Sequence, residues 1–201
     1  MVNTISLDLI SNEMDGGRTE RADAAANRQL VLATAARLFA ERGVSAVTMA
    51  EIAQAAEIGK GTLYRRYANK AELCLALLDD QMSAFQNGML AEMRELSAAS
   101  VPYLVQLDRY MSRLVVFAEQ HAPLLCEVEA SGLLLENEHP ELPHLWHIMT
   151  VTSLLRAAQR NGEISPSLDV EFYAGLLLGS VTVNQLRFLR NVRHFSQERI
   201  T

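Results

Sequence analysis

The sequence has few of the features that mark secreted, metal-binding or membrane proteins. It contains only two cysteines, Cys74 and Cys126, and their wide separation favours two buried thiols in a reducing compartment over a metal site. The longest apolar run, residues 174–183, is about half as long as a membrane-spanning helix requires. The first residues lack the basic and then apolar segments of a secretory signal. We therefore expect a cytoplasmic protein without a membrane partner.

Two further absences bear on fold and function. No segment alternates convincingly between apolar and polar residues, so we expect no β-sheet. No Ser/His/Asp or Cys/His arrangement occurs in a supporting context, and the segment Gly59–Gly61 is too short for a phosphate-binding NTPase loop. We expect that the chain is not an enzyme and has no catalytic residue, metal site or cofactor.

Charge is distributed unevenly along the chain. The formal net charge is -6, yet residues 21–72 carry eight Lys and Arg against five acidic residues, a local charge of +3. Residues 73–201 carry nine Arg against fifteen acidic residues, a local charge of -6. A basic N-terminal segment on an acidic body predicts that only this segment binds a polyanion.

The apolar pattern is helical almost throughout after residue 25. Residues 1–25 show no period and include two adjacent glycines, which predicts a flexible arm. A first helix with its apolar residues on one face ends at Gly43. We predict an all-α fold of eight to nine helices. It comprises a three-helix helix-turn-helix domain over residues 26–70 and a larger helical body over residues 71–201.

Two short helices inside the first of these domains have the spacing of a helix-turn-helix. Thr48 and Glu51 form a capping box that starts a helix at about Met49, and a second short helix is predicted at about Gly59–Tyr67. Apolar residues fall where the two helices must pack together: Ile52, Ala53, Ala56, Ile58 and Leu63. The solvent side of the second helix suits contacts to phosphates and base edges, through Lys60, Thr62, Tyr64, Arg65 and Arg66.

Lys70 and Thr48 are further candidates for phosphate contacts. A cation in the first turn of a helix opposes the helix dipole, so Lys70 is mildly unfavourable unless an anion lies at that N-terminus. Helix capping explains Thr48 fully, and a capping hydroxyl can also face a phosphate. Both interpretations of Thr48 stay open.

Prolines divide the body into helices. Pro102 and Pro123 lie where first-turn prolines belong and predict the fifth and sixth helices. Pro140 and Pro143 predict the start of a seventh. A last long helix is predicted to run without a break over about Asp169–Val192.

Residues 47–73 resemble the DNA-binding domain of TetR-family transcriptional regulators. The resemblance rests on Thr48, Ile52, Ala53, Gly61, Thr62, Leu63, Tyr64, Tyr67, Lys70 and Leu73. It implies that Tyr64 and Lys70 bind phosphate, that Tyr67 is structural, and that further residues lie near the groove, namely Lys60, Gly61, Thr62 and Arg65. It also implies a body that dimerises and binds an effector. We predict a homodimeric repressor that a small lipophilic or aromatic effector releases from a palindromic DNA operator.

Glu57 departs from the family pattern, which usually has glycine in this turn. If the position needs a positive φ, glutamate is strained there by ~1 kcal/mol. Its charge also lies close to the DNA that the resemblance implies. The turn is then shifted, or Glu57 excludes some operator sequences.

The body offers candidates for both of its implied tasks. Glycines four residues apart in the last helix predict close approach to a symmetry mate, with packing inside the chain as the alternative. The predicted interface comprises Gly175, Leu176, Gly179, Val183 and Leu186. The predicted effector pocket comprises Tyr103, Tyr110, Met111, Leu114, Phe117, Trp146, Met149 and Tyr173, with core packing as the alternative for each.

The body also allows two alternatives, a metal site and a different function. Glu141, His144 and His147 recur every three residues near His139, but these steps rotate around a helix and no cysteine is close. A polar helix face is therefore preferred to a Zn²⁺ site. The alternative function is a ligand-independent module in which the N-terminal domain binds DNA while the body docks a protein partner.

Overall fold

The computed structural model describes the backbone of residues 7–133 and 143–201, and the side chains of residues 25–133 and 145–201. Within those ranges the chain is helical and has no β-strand, which confirms the predicted all-α class. Ten α-helices and one π-helix occur in this part of the chain, against the eight to nine helices expected.

The first of two compact units, Met1–Lys70, has three α-helices in its described part. They are α1 (Leu7–Arg42), α2 (Met49–Ala55) and α3 (Lys60–Arg66). Helix α1 contacts α2, and α2 contacts α3. Of the five residues predicted to pack between the short helices, four are buried and Ile58 is half-buried. The bounds of α2 are those that the sequence predicts.

Helix α1 begins much earlier than the sequence predicts. Residues 1–25 are expected to form an arm, whereas the backbone is helical from Leu7 onward. Extending an existing helix adds one hydrogen bond per residue without a new nucleation cost, so a polar segment without an apolar face can continue it. The two adjacent glycines weaken this extension by about 1 kcal/mol each relative to alanine, and they do not end it. The expectation of an arm without helical structure is therefore corrected for residues 7–25.

The predicted capping box at the start of α2 is confirmed. The Thr48 hydroxyl accepts a hydrogen bond from the backbone N–H of Glu51 at 3.3 Å, and Glu51 Oε2 accepts one from the backbone N–H of Thr48 at 2.8 Å. Glu51 Oε1 accepts a hydrogen bond from Arg42, in the last turn of α1, at 2.7 Å. The hydrogen bond from the Thr48 hydroxyl, followed by that from Arg42, lowers the pKa of Glu51 to about 2. These bonds fix the start of α2 to the end of α1.

The turn between α2 and α3 is a Schellman motif with Glu57 at its left-handed position. The backbone N–H of Ile58 donates to the carbonyl of Ala53 at 3.0 Å, and that of Glu57 donates to the carbonyl of Gln54 at 3.1 Å. Glu57 has a φ of 54°. Glycine adopts this conformation without a steric cost, whereas a residue with a Cβ atom is strained by ~1 kcal/mol. The positive φ on which the strain of Glu57 depends is therefore present.

The second compact unit, Ala71–Thr201, is also helical in its described part. Helix α4 begins at Lys70 and continues to Ala98. The other helices are α5 (Tyr103–Gln120), α6 (Ala122–Ala130), α7 (Pro143–Arg160), α8 (Val170–Gly179), α9 (Val183–Arg187), a π-helix (Phe188–Val192) and α10 (Gln197–Ile200). Helix α7 packs against both α5 and α8 around an apolar core. None of the described helices is both long enough and apolar enough to span a bilayer.

The long helix predicted over Asp169–Val192 is broken in the structure. Helix α8 ends at Gly179, and α9 begins at Val183 after the N-cap residue Thr182. Glu129 of α6 accepts hydrogen bonds from the backbone N–H of Val183 at 2.7 Å and from that of the next residue at 3.3 Å. A carboxylate at a helix N-terminus satisfies orphan donors and favours the helix dipole. Because Glu129 is 54 residues away in sequence, the local pattern does not reveal this second start.

The capping box predicts a specific dependence of stability on pH. The folded-state pKa of Glu51 lies below the ordinary value of 4.5, so its contribution is present above about pH 5 and is lost as the pH falls towards 2. The difference in the free energy of unfolding between the wild type and Glu51→Gln should therefore shrink between about pH 6 and about pH 3. Urea denaturation measures it. Glu95→Gln is the control, because Glu95 is exposed and pairs with no described residue. An equally pH-dependent difference for both variants would contradict the prediction.

The strain at Glu57 predicts that Glu57→Gly stabilises the protein. The free energy of unfolding should rise by about 1 kcal/mol, because glycine adopts the left-handed conformation without steric conflict. Glu57→Ala should give no such gain, since alanine keeps the Cβ atom that causes the strain. Urea denaturation of the three proteins separates strain from charge. Equal stability of the Gly and Ala variants would show that the turn is not strained.

Candidate DNA-binding surface

The exposed side of α3 is a cationic surface. Leu63 is the buried residue of this helix, and the six others are exposed. We refer to these six as the α3 face: Lys60, Gly61, Thr62, Tyr64, Arg65 and Arg66. The α3 face holds three cationic side chains and no acidic one, and the Tyr64 side chain is 47% exposed. The structure thus brings together on one short helix six of the eight residues predicted to contact DNA.

Gly61 is unusual within this helix, because glycine in a helix interior costs about 0.5–1 kcal/mol relative to alanine. A Cβ atom built at Gly61 meets no atom within 4 Å. Packing inside the chain therefore does not require glycine at this position. A glycine that is costly in the helix and not required by packing is explained if another molecule approaches the α3 backbone closely.

Thr48 and Lys70, the other two predicted DNA contacts, have partners inside the protein. The exposed Thr48 hydroxyl donates to Glu51 at 2.7 Å as well as accepting from it. The Lys70 ammonium donates to the carbonyl oxygens of Val44 at 3.0 Å and Val47 at 3.3 Å. These carbonyls stabilise the Lys70 charge, so its place at a helix N-terminus needs no phosphate to explain it. Lys70 holds the segment between α1 and α2, and its contact with a phosphate stays a prediction.

Arg42 positions this surface although sequence analysis does not single it out. Besides its bond to Glu51, its guanidinium donates to the carbonyl of Ala46 at 3.3 Å. A cation in the last turn of a helix is a recognisable signal, because it favours the helix dipole. Its partners beyond the helix end, however, depend on the path of the following segment.

Tyr67 is buried, with 6% of its surface exposed. Its hydroxyl group finds no hydrogen-bond partner among the described residues. A buried hydroxyl without a partner costs free energy, so the contribution of Tyr67 to the fold comes from packing its ring. This position agrees with the structural role that the resemblance implies.

The eight residues predicted to line an effector pocket fall into two groups. Six are buried or half-buried in the second unit: Tyr103, Tyr110, Met111, Leu114, Phe117 and Trp146. Met149 and Tyr173 are 61% and 41% exposed. Their assignment to an interior pocket is corrected. The buried side of α7 is elsewhere on the helix, at His147, Val151, Leu154, Leu155 and Ala158.

A buried polar pair lies among the aromatic residues of the second unit. The hydroxyl of Tyr110 lies 2.6 Å from Nδ1 of His147. Burial raises the pKa of Tyr110 far above its ordinary value, so the phenol stays protonated. The His147 ring lies 6.0 Å from that of Phe85 and 5.4 Å from that of Trp146, between centroids. His147 is therefore a core residue and not part of the polar helix face expected from the sequence.

Of the other residues weighed for a zinc site, His139 and Glu141 lie outside the described residues, as does the side chain of His144. Pro140, predicted to open the seventh helix, also lies outside them. No cluster of potential metal ligands occurs in the part of the chain that the structure describes.

The predicted dimer residues also separate into two groups. Gly175, Leu176 and Gly179 are exposed, and a Cβ atom built at either glycine meets no atom within 4 Å. Val183 and Leu186 are only 2% and 3% exposed. The prediction is wrong for these two residues, because the break after Gly179 starts a new helix whose apolar side packs into the same chain.

An exposed apolar surface covers parts of α7 and α8, two helices in contact with each other. We refer to it as the α7–α8 surface, and its large side chains are Leu145, Met149, Phe172, Tyr173 and Leu176. They are between 41% and 62% exposed. Apolar side chains that gather in this way commonly mark an interaction site.

Comparison with known proteins identifies the first unit. Residues 31–77 match the family model described as "Bacterial regulatory proteins, tetR family". The HTH-type transcriptional regulator SAB2452 of Staphylococcus aureus (strain bovine RF122 / ET3-1) is 40% identical over 65 residues, which cover 32% of this chain and 35% of that protein. The matched family segment contains α2, the Schellman turn and the α3 face.

Similarity also extends beyond this segment. The HTH-type transcriptional regulator UidR of Escherichia coli (strain K12) is 29% identical over 173 residues, which cover 82% of this chain and 81% of that protein. Thermus thermophilus FadR, a TetR-family transcriptional repressor solved in complex with lauroyl-CoA, has the same fold. The TM-score is 0.62 at 21% identity, covering 86% of this chain and 89% of that chain. Residues 31–77 thus form a DNA-binding domain of the TetR type, and over most of its length the chain is similar to a transcriptional regulator.

Proposed function

We propose that the chain is a homodimeric repressor that binds a palindromic operator through the α3 face and leaves it when a small effector binds. Residues 26–70 form the DNA-binding domain, and residues 71–201 form the effector-binding and dimerisation domain. The α3 face carries the proposal, because it exposes three cations and no acid on the second helix of a helix-turn-helix. This composition and position suit the major groove.

The residues of the α3 face have different roles in binding DNA. Arg65 and Arg66 supply guanidinium groups, which bind phosphates or the O6 and N7 atoms of guanine. Lys60 and Tyr64 contact phosphates and fix the position of the domain on the duplex. Gly61 lets the backbone of α3 approach the duplex closely. Thr48 and Lys70 contribute at the edge of this surface, where they also hold α2 in place.

A second copy of the chain is the proposed partner of the α7–α8 surface. The glycines of α8 support this occupant, because apart from the adjoining backbone of α8 no atom of the described chain lies within 4 Å of a Cβ built at Gly175 or Gly179. Glycine there has no packing role inside the chain, whereas it permits close approach of a second helix. A two-fold dimer presents its two α3 faces to half-sites about one DNA turn apart, ~34 Å, or somewhat more.

The effector that we propose is a small lipophilic or aromatic molecule. Phe85 and Trp146, which lie beside the Tyr110–His147 pair, supply apolar contacts. The pair itself supplies a polar group that fixes the orientation of the effector. The lauroyl-CoA in the FadR complex makes acyl thioesters the first class of effector to test. Binding then lowers the affinity for the operator by a coupling free energy of about 1–3 kcal/mol.

Substitutions on the α3 face test DNA binding. Lys60→Ala and Tyr64→Ala should each weaken binding to a duplex selected with the wild type, by about 1–3 kcal/mol. Gly61→Ala should also weaken binding while raising the free energy of unfolding by about 0.5–1 kcal/mol, so that loss of folding cannot explain the result. Fluorescence anisotropy and urea denaturation give the two readouts. Arg94→Ala removes an exposed arginine of α4 that lies outside the last turn and has no described partner, so it should change neither. Unchanged affinity in all three α3 variants would refute the assigned surface.

A substitution on the α7–α8 surface tests dimerisation. Leu176→Glu places a charge on a side chain that is 57% exposed, so the monomer should fold while the dimer dissociates at least about 10-fold more readily. Sedimentation equilibrium measures the dissociation constant, and circular dichroism verifies the fold. Leu90→Glu is the matched control, since Leu90 on α4 is 43% exposed outside this surface. Equal dissociation constants for the two variants would place the interface elsewhere.

A panel of ligands tests effector release. At least one acyl-CoA of a series from short to long chains should lower operator affinity by about 5–150-fold, whereas CoA alone should not. Anisotropy of the selected duplex measures the release. If a wider panel of lipophilic and aromatic compounds also leaves the affinity unchanged, effector release is refuted. The ligand-independent interaction module would then be the better account of the second unit.

A further inference from the structure

Glu57 occupies a backbone position that suits glycine better than glutamate. It is the left-handed residue of the Schellman motif that ends α2, with a φ of 54°. Its backbone N–H and that of Ile58 carry the two hydrogen bonds of the motif, and neither bond depends on the side chain. Glutamate therefore strains the backbone at this position, and its side chain contributes nothing to the hydrogen bonds of the turn. Such an outlier is a reason to look for a function of the side chain.

The charge of Glu57 is also unfavourable for the proposed partner. Glu57 is exposed and lies three positions before Lys60, the first residue of α3. Its carboxylate forms no hydrogen bond or ion pair with any described residue. In a helix-turn-helix the N-terminal part of the second helix meets the DNA, so this negative charge lies near the phosphates. Glutamate is therefore worse than glycine for both the stability of the turn and the attraction of DNA.

We propose that Glu57 sets an upper limit on DNA affinity by repelling the phosphate backbone. This inference rests on the proposed function, in which the α3 face binds the operator. A unit charge 5–10 Å from a phosphate in water changes the binding constant roughly two- to four-fold for each domain. A limited affinity for DNA matters for release, because an effector changes operator affinity by only about 5–150-fold. Glu57 keeps the affinity of the unliganded dimer within the range that such a change can overcome.

The experiment compares two duplexes, one of random sequence and one selected with the wild-type protein. Glu57→Gln and Glu57→Gly should bind both duplexes more tightly at low salt, by about two- to four-fold per domain. The gain should shrink at higher salt, because ions screen the repulsion. Glu57→Asp keeps the charge and should bind nearly as the wild type does. Glu95→Gln, an exposed acid on α4 of the second unit, should change neither affinity.

Two results would overturn the inference. The first is unchanged affinity of Glu57→Gln for both duplexes at low salt. The second is a loss of affinity for the selected duplex alone, since this would mean that the carboxylate accepts a hydrogen bond from a base such as cytosine. Failure of the proposed function looks different. In that case the wild type binds neither duplex in a salt-dependent way, and Lys60→Ala has no effect.

Discussion

The α3 face depends on how two seven-residue helices are held, because helices this short are not stable alone in water. Bonds at the ends of α2 supply much of the support. Arg42 and Thr48 fix Glu51 at its start, and Lys70 binds the carbonyls of the preceding segment. The Schellman turn then sets the direction of α3, and Leu63 anchors it in the core. The cations of the α3 face are exposed because this scaffold leaves only one residue of the helix inside.

Local signals explain why so much of this surface could be predicted from the sequence. The capping box joins residues three positions apart, so it is visible in a short window. The Schellman motif joins residues within six positions, but glutamate replaces the glycine that would mark it, so only the family pattern pointed to this turn. The positive φ of Glu57 follows from the same motif. Lys70 illustrates the limit, because its carbonyl partners lie 23 and 26 residues away. Its position at a helix start could be recognised, but the groups that stabilise its charge could not.

The second unit was less predictable for the same physical reason. Glu129 caps α9 from 54 residues away and divides a segment whose apolar pattern is otherwise continuous. That division places Val183 and Leu186 in the core and leaves Gly175 and Gly179 exposed. Periodicity indicates that a residue lies on an apolar face, and it does not say whether the same chain or another copy covers that face. The open space beside the two glycines shows that the described part of this chain does not cover them.

The most direct test is methylation interference at guanine N7 and adenine N3 on an operator selected with the wild-type protein. N7 lies in the major groove, so methylation blocks a protein that reads this groove. A dimer that binds through the α3 face should show interference in two symmetric half-sites about one helical turn apart or somewhat more, with weaker interference at individual guanines when Arg65 or Arg66 is replaced by alanine. Interference restricted to minor-groove adenines, or a single unpaired site, would contradict a dimer that binds through the α3 face.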